Sequence, residues 1–217
     1  NLKNAFISIE DERFYEHDGI DFKGILRALW TDIRNGSTSQ GASTLTQQLI
    51  KNNVFEAGGE TNIIAKVKRK IQEQYLAIIA EKKYNKEDIL TNYLNTINLG
   101  KGNLGVEAAS KYYFGKSVNE LTLSECAVLA GITKNPTFLN PVDYPEDNDA
   151  RRKLILKKMY QLNYISDTEY QSALEDKVYA RIANKTAQGR KNSVYSYFTD
   201  AVITKVVSDL QEQKGYT

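Results

Sequence analysis

Apolar positions along this chain recur with the period of an α-helix. Phe22, Ile25, Leu26, Leu29, Trp30 and Ile33 fall at i, i+3, i+4, i+7, i+8 and i+11, a single stripe. Asp21 stands ahead of the stripe as a cap, and Asn35-Gly36 closes it. Ile64, Val67, Ile71, Tyr75, Ile78 and Ile79 predict a second helix over 62–84, and a third follows over 86–97. Gly100, Gly102 and Gly105 break the pattern before a helix resumes over 106–113. The stretch 121–132 is apolar nearly all round, which predicts a central buried helix. Asn135-Pro136 and Asn140-Pro141 mark turns, and 149–162 predicts another helix. A polar loop is expected over 37–43 and a boundary over 183–192. Beyond the boundary, Phe198, Val202, Val206 and Leu210 recur at four-residue steps, a helix expected to pack on a further domain. No strand pattern exceeds a few residues and no repeat is present, so the fold class is mostly α.

Composition narrows the picture little. The 217 residues are 41% hydrophobic and 26% charged, enough for one core or two small lobes. With 29 basic against 27 acidic side chains, no global field marks a nucleic-acid binder. The one cysteine, Cys126, rules out an internal disulfide framework and lies in an apolar run, as a buried small hydrophobe. No apolar run approaches the roughly 20 residues of a membrane-spanning helix.

Three segments could carry chemistry. Glu10 to Gly19 crowds Glu10, Asp11, Glu12, Arg13, Glu16, His17 and Asp18 beside Phe14 and Tyr15. Paired carboxylates near a hydrophobic wall suit acid–base work, although an acidic turn capping the next helix has the same composition. His17 has no second His or Cys ligand nearby, which argues against zinc. Gly41 to Asn52 opens a helix with Ser43 and Thr44, an anion-binding pattern. Thr44, Gln48 and Lys51 fall on one face there, either a phosphate or sugar surface or plain solvated helix. Lys66, Arg69, Lys70 and Glu73 also share helical spacing. Arg69 and Glu73 make an i,i+4 ion pair in one reading, and the cations neutralise a pyrophosphate in the other.

Taken in order, these segments resemble the family 51 glycosyltransferases, the peptidoglycan polymerase domains of class A penicillin-binding proteins and the monofunctional glycosyltransferases. The first motif reads Glu10-Asp11-x-x-Phe14-Tyr15-x-His17-x-Gly19. The second reads Gly41-x-Ser43-Thr44-x-x-Gln47-Gln48-x-x-Lys51-Asn52, and the third Arg69-Lys70-x-x-Glu73. The fourth runs through Tyr93-Leu94-Asn95, Gly105-Val106-Glu107-Ala108-Ala109 and Tyr113-Phe114-Gly115-Lys116. The fifth joins Leu123-x-Glu125-x-Ala127-x-Leu129-Ala130-Gly131 to Pro136, Asn140-Pro141 and Arg151-Arg152.

The resemblance implies a lysozyme-like helical head with a smaller membrane-associated jaw lobe. It places the glycosyltransferase domain at 1–185, the jaw at about 20–60, and from 186 a linker toward a C-terminal domain. The activity implied is polymerisation of lipid II into β-1,4 glycan strands, with inversion and release of undecaprenyl pyrophosphate. The related alternative is a lysozyme-like lytic transglycosylase or muramidase. Glu10 is then the base and Glu73 the second carboxylate, positioning Arg69 or holding a divalent cation, Mg or Mn. Lys51, Arg69, Lys66, Ser43, Thr44 and Gln48 bind the donor pyrophosphate or sugar. Asp11, Phe14, His17 and Asn52 support them, and the fourth and fifth motifs are mainly architectural. No nucleotide sugar and no nucleic acid is implied. The implied partners are lipid II, the growing lipid-linked glycan and the membrane surface. The parent protein would work on the outer face of the bacterial cytoplasmic membrane, with an N-terminal transmembrane anchor and a C-terminal transpeptidase domain.

Overall fold

A computed structural model describes residues 1–35, 43–55 and 62–182. The expected boundary at 183–192, the helix after it and most of the 37–43 loop lie outside these residues, as does part of the expected jaw. Nine α-helices are described: α1 (Leu2–Glu10), α2 (Phe22–Asn35), α3 (Leu45–Val54), α4 (Ile63–Lys83), α5 (Lys86–Thr96), α6 (Val106–Phe114), α7 (Leu123–Ile132), α8 (Pro145–Gln161) and α9 (Asp167–Glu175). One isolated bridge, Asn98 to Leu104, is the only β pairing among the described residues. This all-helical arrangement agrees with the mostly α expectation.

The helix boundaries follow local chemistry. Thr44 caps α3 by accepting from the Gln47 N–H, and Asn85 caps α5 through the Asp88 N–H. Thr122 with Glu125, and Ser166 with Glu169, form capping boxes that start α7 and α9. Pro145 sits in the first turn of α8, where its missing N–H is no loss. The expected start of that helix at 149 is thus corrected to 145. Asp21 accepts from the Gly24 N–H at 2.8 Å and caps α2 as expected.

The core forms around α7, whose residues from Ser124 to Ile132 are buried on every side. It packs against α1 and α8. Phe6, Phe14, Tyr93, Tyr113, Leu129 and Leu156 are fully buried, and such side chains each contribute about 1.5–3 kcal/mol. Burial pushes the Cys126 thiol up to about 11, the inert thiol expected from its apolar run.

Two helices carry described apolar side chains outside this core. On α2, Phe22, Leu26 and Trp30 are exposed, Trp30 by 72%. On α4, Ile63, Ile64, Val67, Ile71 and Tyr75 face outward, while Glu73 and Ala77 face in. Among the described side chains and backbone of α2, Gly24 and Ala28 are buried.

Candidate active site

Gly19 is the junction from which the site is built. Its φ of +89° requires a residue without a side chain, and a Cβ there would lie 2.7 Å from the Ala77 backbone of α4. The first-motif loop thus crosses α4 in direct contact. The Gly19 carbonyl then accepts from Thr44 Oγ1 at 2.8 Å and from Gln47 Nε2 at 3.1 Å. One glycine joins the loop after α1, the start of α3 and the middle of α4.

Glu10 is the last residue of α1, and its side chain is 13% exposed. Gln48 Nε2 donates to Oε2 at 2.9 Å, and the Thr133 hydroxyl lies 2.5 Å from Oε1. Thr133 Oγ1 is also 2.9 Å from the Ala130 carbonyl, so its one proton has two acceptors. Arg151 Nη2 stands 3.7 Å from Oε1. The buried Tyr93 hydroxyl donates to Gln48 Oε1 at 3.2 Å, which fixes the amide with its N–H groups toward Glu10. Burial, together with the charges of Glu10 and Asp11, holds the Tyr93 phenol well above its usual range, so it remains a donor.

Asp11 turns away from Glu10 and does not form a carboxylate pair with it. It accepts from the Leu45 N–H at 3.0 Å, at the positive end of α3, and from His17 Nε2 at 3.0 Å. The Gly19 N–H donates to His17 Nδ1 at 3.2 Å, so the ring carries its proton on Nε2. Phe14 is buried beneath, with Lys86 Nζ 4.5 Å from its ring centre.

The second cluster lies on the inner face of α4. Glu73, buried, takes Arg69 on Oε1 and Lys70 on Oε2, the latter at 3.2 Å. Lys70 Nζ also donates to Ser43 Oγ at 2.8 Å and Gln47 Oε1 at 3.1 Å. Gln47 and Gln48 are consecutive, one reaching this cluster and the other reaching Glu10. A single turn of α3 therefore holds the two carboxylate sites together.

The remaining expected residues fall in different places. Lys51 and Asn52 on α3 and Lys66 on α4 are exposed, and Lys51 and Lys66 have no ion pair among the described residues. Lys51 is one turn past Gln47 and Gln48, and Lys66 one turn before Lys70, so each extends a face that already carries the site. Thr44 is buried, and its hydroxyl is engaged by the Gly19 carbonyl and the cap of α3. A divalent cation on Glu73 does not fit the donor set. Both carboxylate oxygens already face cations, and no cluster of three His, Cys, Asp or Glu occurs among the described residues.

The fifth motif is not merely architectural, since Thr133 and Arg151 bring it to Glu10. Burial pulls the Arg151 guanidinium below its usual range against the pull of Glu10, and its Nε is buried without a hydrogen-bond partner. The adjacent Arg152 points the other way, donating to the Ala173 carbonyl and Ser124. The Arg151-Arg152 pair was the available signal, because neighbouring helix positions diverge by about 100° and cannot both be structural on one face.

With this geometry in place, comparison with known proteins defines the class. The chain belongs to the transglycosylase family, which matches residues 1–160. Its relatives by sequence are penicillin-binding proteins, and the chain is a peptidoglycan glycosyltransferase domain. It is 45% identical to penicillin-binding protein 1A of Clostridium acetobutylicum, over 100% of this chain and 28% of that protein. It is 43% identical to penicillin-binding protein 1A of Haemophilus influenzae, over 100% of this chain and 24% of that protein. A crystal structure of the Haemophilus influenzae protein shares 37% identity over 61% of this chain and 18% of that one, with a TM-score of 0.42. The chain thus spans about a quarter of the length of these relatives.

Proposed function

We propose that this domain polymerises lipid II, with Glu10 as the base and the cations of α3 and α4 as the acceptors of leaving-group charge. The observation that carries the reading is the link through Gln47 and Gln48. It sets a carboxylate ringed by hydrogen-bond donors beside a cationic cluster. The acceptor sugar's 4-hydroxyl oxygen forms a bond to the donor's anomeric carbon as the bond from that carbon to the diphosphate oxygen breaks. The hydroxyl proton passes to Glu10, and the lipid diphosphate departs with the electron pair. Attack from the face opposite the leaving group inverts the carbon.

A diphosphate needs little acid assistance once its developing charge is matched. Lys51 and Lys66 supply ammonium groups without ion-pair partners among the described residues, while Arg69 and Lys70 are held in place by Glu73. Lys70, one of the cations that the sequence pattern offers for a pyrophosphate, joins the donor-binding set through Ser43 and Gln47. The chain's own cations fill the role first expected of Mg or Mn, and no step is routed through a metal. A hydrolase acting on finished glycan would gain nothing from these cations.

The membrane surface is the proposed setting. Phe22, Leu26 and Trp30 of α2, with Ile63, Ile64 and Val67 at the start of α4, present apolar side chains outward, as an interfacial surface does. No described helix is long and apolar enough to cross a membrane. A further, penicillin-binding domain in the parent is supported by the name of the relatives and by the roughly one quarter of their length that this chain spans; a transmembrane anchor and a place on the outer face of the cytoplasmic membrane belong to the same proposal. The test of class is to offer lipid II and, separately, finished glycan strands. The reading expects polymer from the first and no cleavage of the second, and the reverse outcome overturns it.

A further inference from the structure

Beyond Glu10, the fifth motif continues into a short loop that holds an aromatic side chain in solvent. Phe138 is 55% exposed, and its ring lies 5.5 Å from that of Tyr144 with the planes tilted by 58°. The two rings form an open corner. Single exposed aromatics are ordinary on protein surfaces, so the loop's construction is what gives this one meaning.

The loop is fixed from beneath at every turn. The Phe138 and Leu139 N–H groups donate to the Asn135 carbonyl at 3.1 and 2.8 Å. Asn140 is buried. It donates to the Thr137 carbonyl at 2.9 Å and accepts from the Asp143 N–H at 2.9 Å. Asn148, also buried, donates to the Leu139 carbonyl at 2.7 Å. Gly100 packs against the Pro136 carbonyl, where a Cβ would lie at 2.7 Å. A rigid support that presents an apolar face outward is the construction of a binding contact rather than of a fraying loop.

Its place in the chain is close to residues that touch Glu10. Thr133, five residues before Phe138, hydrogen-bonds Glu10. Tyr144 precedes α8, and Arg151 beside Glu10 lies seven residues further on, two turns along one side of that helix and about 10 Å along its axis. That separation is within reach of a short oligosaccharide. The ring of an amino sugar has an apolar C–H face and a polar edge. An aromatic corner flanked by the exposed polar side chains of Lys134, Asn135 and Thr137 matches both.

We propose that Phe138 and Tyr144 form a glycan subsite, holding one pyranose ring of the strand a short distance from the carbon that reacts at Glu10. The proposal rests on the polymerase reading and deepens it. A strand gripped away from the reacting bond stays on the enzyme between additions, so the corner favours longer products.

The test uses chitotetraose, the soluble β-1,4 tetramer of N-acetylglucosamine, with the wild-type chain, Phe138→Ala and Phe138→Trp. Phe138→Ala is expected to weaken tetramer binding by about fivefold to tenfold, with its melting temperature unchanged because the side chain is exposed. Phe138→Trp is expected to keep the affinity and to report binding through its emission, read against the single native Trp30. With lipid II, Phe138→Ala should release shorter glycans than the wild type. Equal tetramer affinity in wild type and Phe138→Ala, or no tetramer binding by the wild type, overturns the subsite. Failure of the wild type to polymerise lipid II, with Phe138-dependent tetramer binding intact, instead overturns the polymerase reading alone.

Discussion

Glu10 and Glu73 carry the same carboxylate in two contrasting settings. Glu10 ends a helix and meets an amide and a hydroxyl, with a guanidinium 3.7 Å away. Glu73 sits in mid-helix, its side chain only 2% exposed, with a cation on each oxygen. Neutralising Glu73 would remove one counter-charge from both Arg69 and Lys70. Glu10 can take a proton while its neutral partners reorient, since a hydroxyl rotates. The difference divides the labour between a group that changes charge and a group whose constant charge organises others.

The sharpest way to break this comparison is to neutralise each carboxylate in turn. Glu10→Gln should lower the polymerisation rate by about 10²–10⁴-fold, the range for a lost general base, with the fold unchanged by circular dichroism. Glu73→Gln should instead register in stability. It removes a counter-charge shared by two cations, and because Lys70 is 40% exposed and Arg69 22%, screening reduces the loss to about 1–3 kcal/mol. Thermal denaturation measures it, and an unchanged melting temperature would contradict the scaffold role.

Smaller effects separate the cations from a metal. Lys51→Ala should raise the donor's KM by roughly tenfold, with acceptor use little affected. Chelating divalent ions should change the rate less than Lys51→Ala does. Complete loss of turnover on chelation would put a metal where side-chain cations are placed here.

The smallest effect lies far from the site. Burial raises the Glu125 carboxyl, but hydrogen bonds from Lys116 and the Thr122 N–H, with Arg181 nearby, outweigh it and hold the group below 4.5. A folded-state value below the unfolded one contributes stability above about pH 4.5 that disappears as pH falls through the folded value. Glu125→Gln should therefore melt earlier than wild type at pH 7, and the gap should close on acidification.

The helical stripes were legible because a 3.6-residue period needs only apolar spacing. Whether a stripe faces the core or the outside was not, since Phe22, Leu26 and Trp30 have the same spacing in either case. Neither α1 nor α9, each nine residues long, was read from the sequence. The Ser166 and Glu169 capping box was the signal available for α9. Within the site, the residue types were legible but their division between cleft and scaffold was not. Thr44 went to a buried carbonyl because Gly19 lets the loop approach, a contact between residues 25 apart in the chain. Arg151 reached Glu10 across 141 positions, a pairing that only the packing of α8 on α1 creates.

The most direct measurement compares turnover with donor binding in a single variant. Glu10→Gln should bind a short-chain lipid diphosphate within about twofold of wild type, because the cations that recognise it are untouched, while glycan synthesis from lipid II all but disappears. Persistent synthesis, or loss of diphosphate binding in step with loss of synthesis in a folded protein, would contradict the division between a proton-accepting carboxylate and a separate charge-accepting cluster.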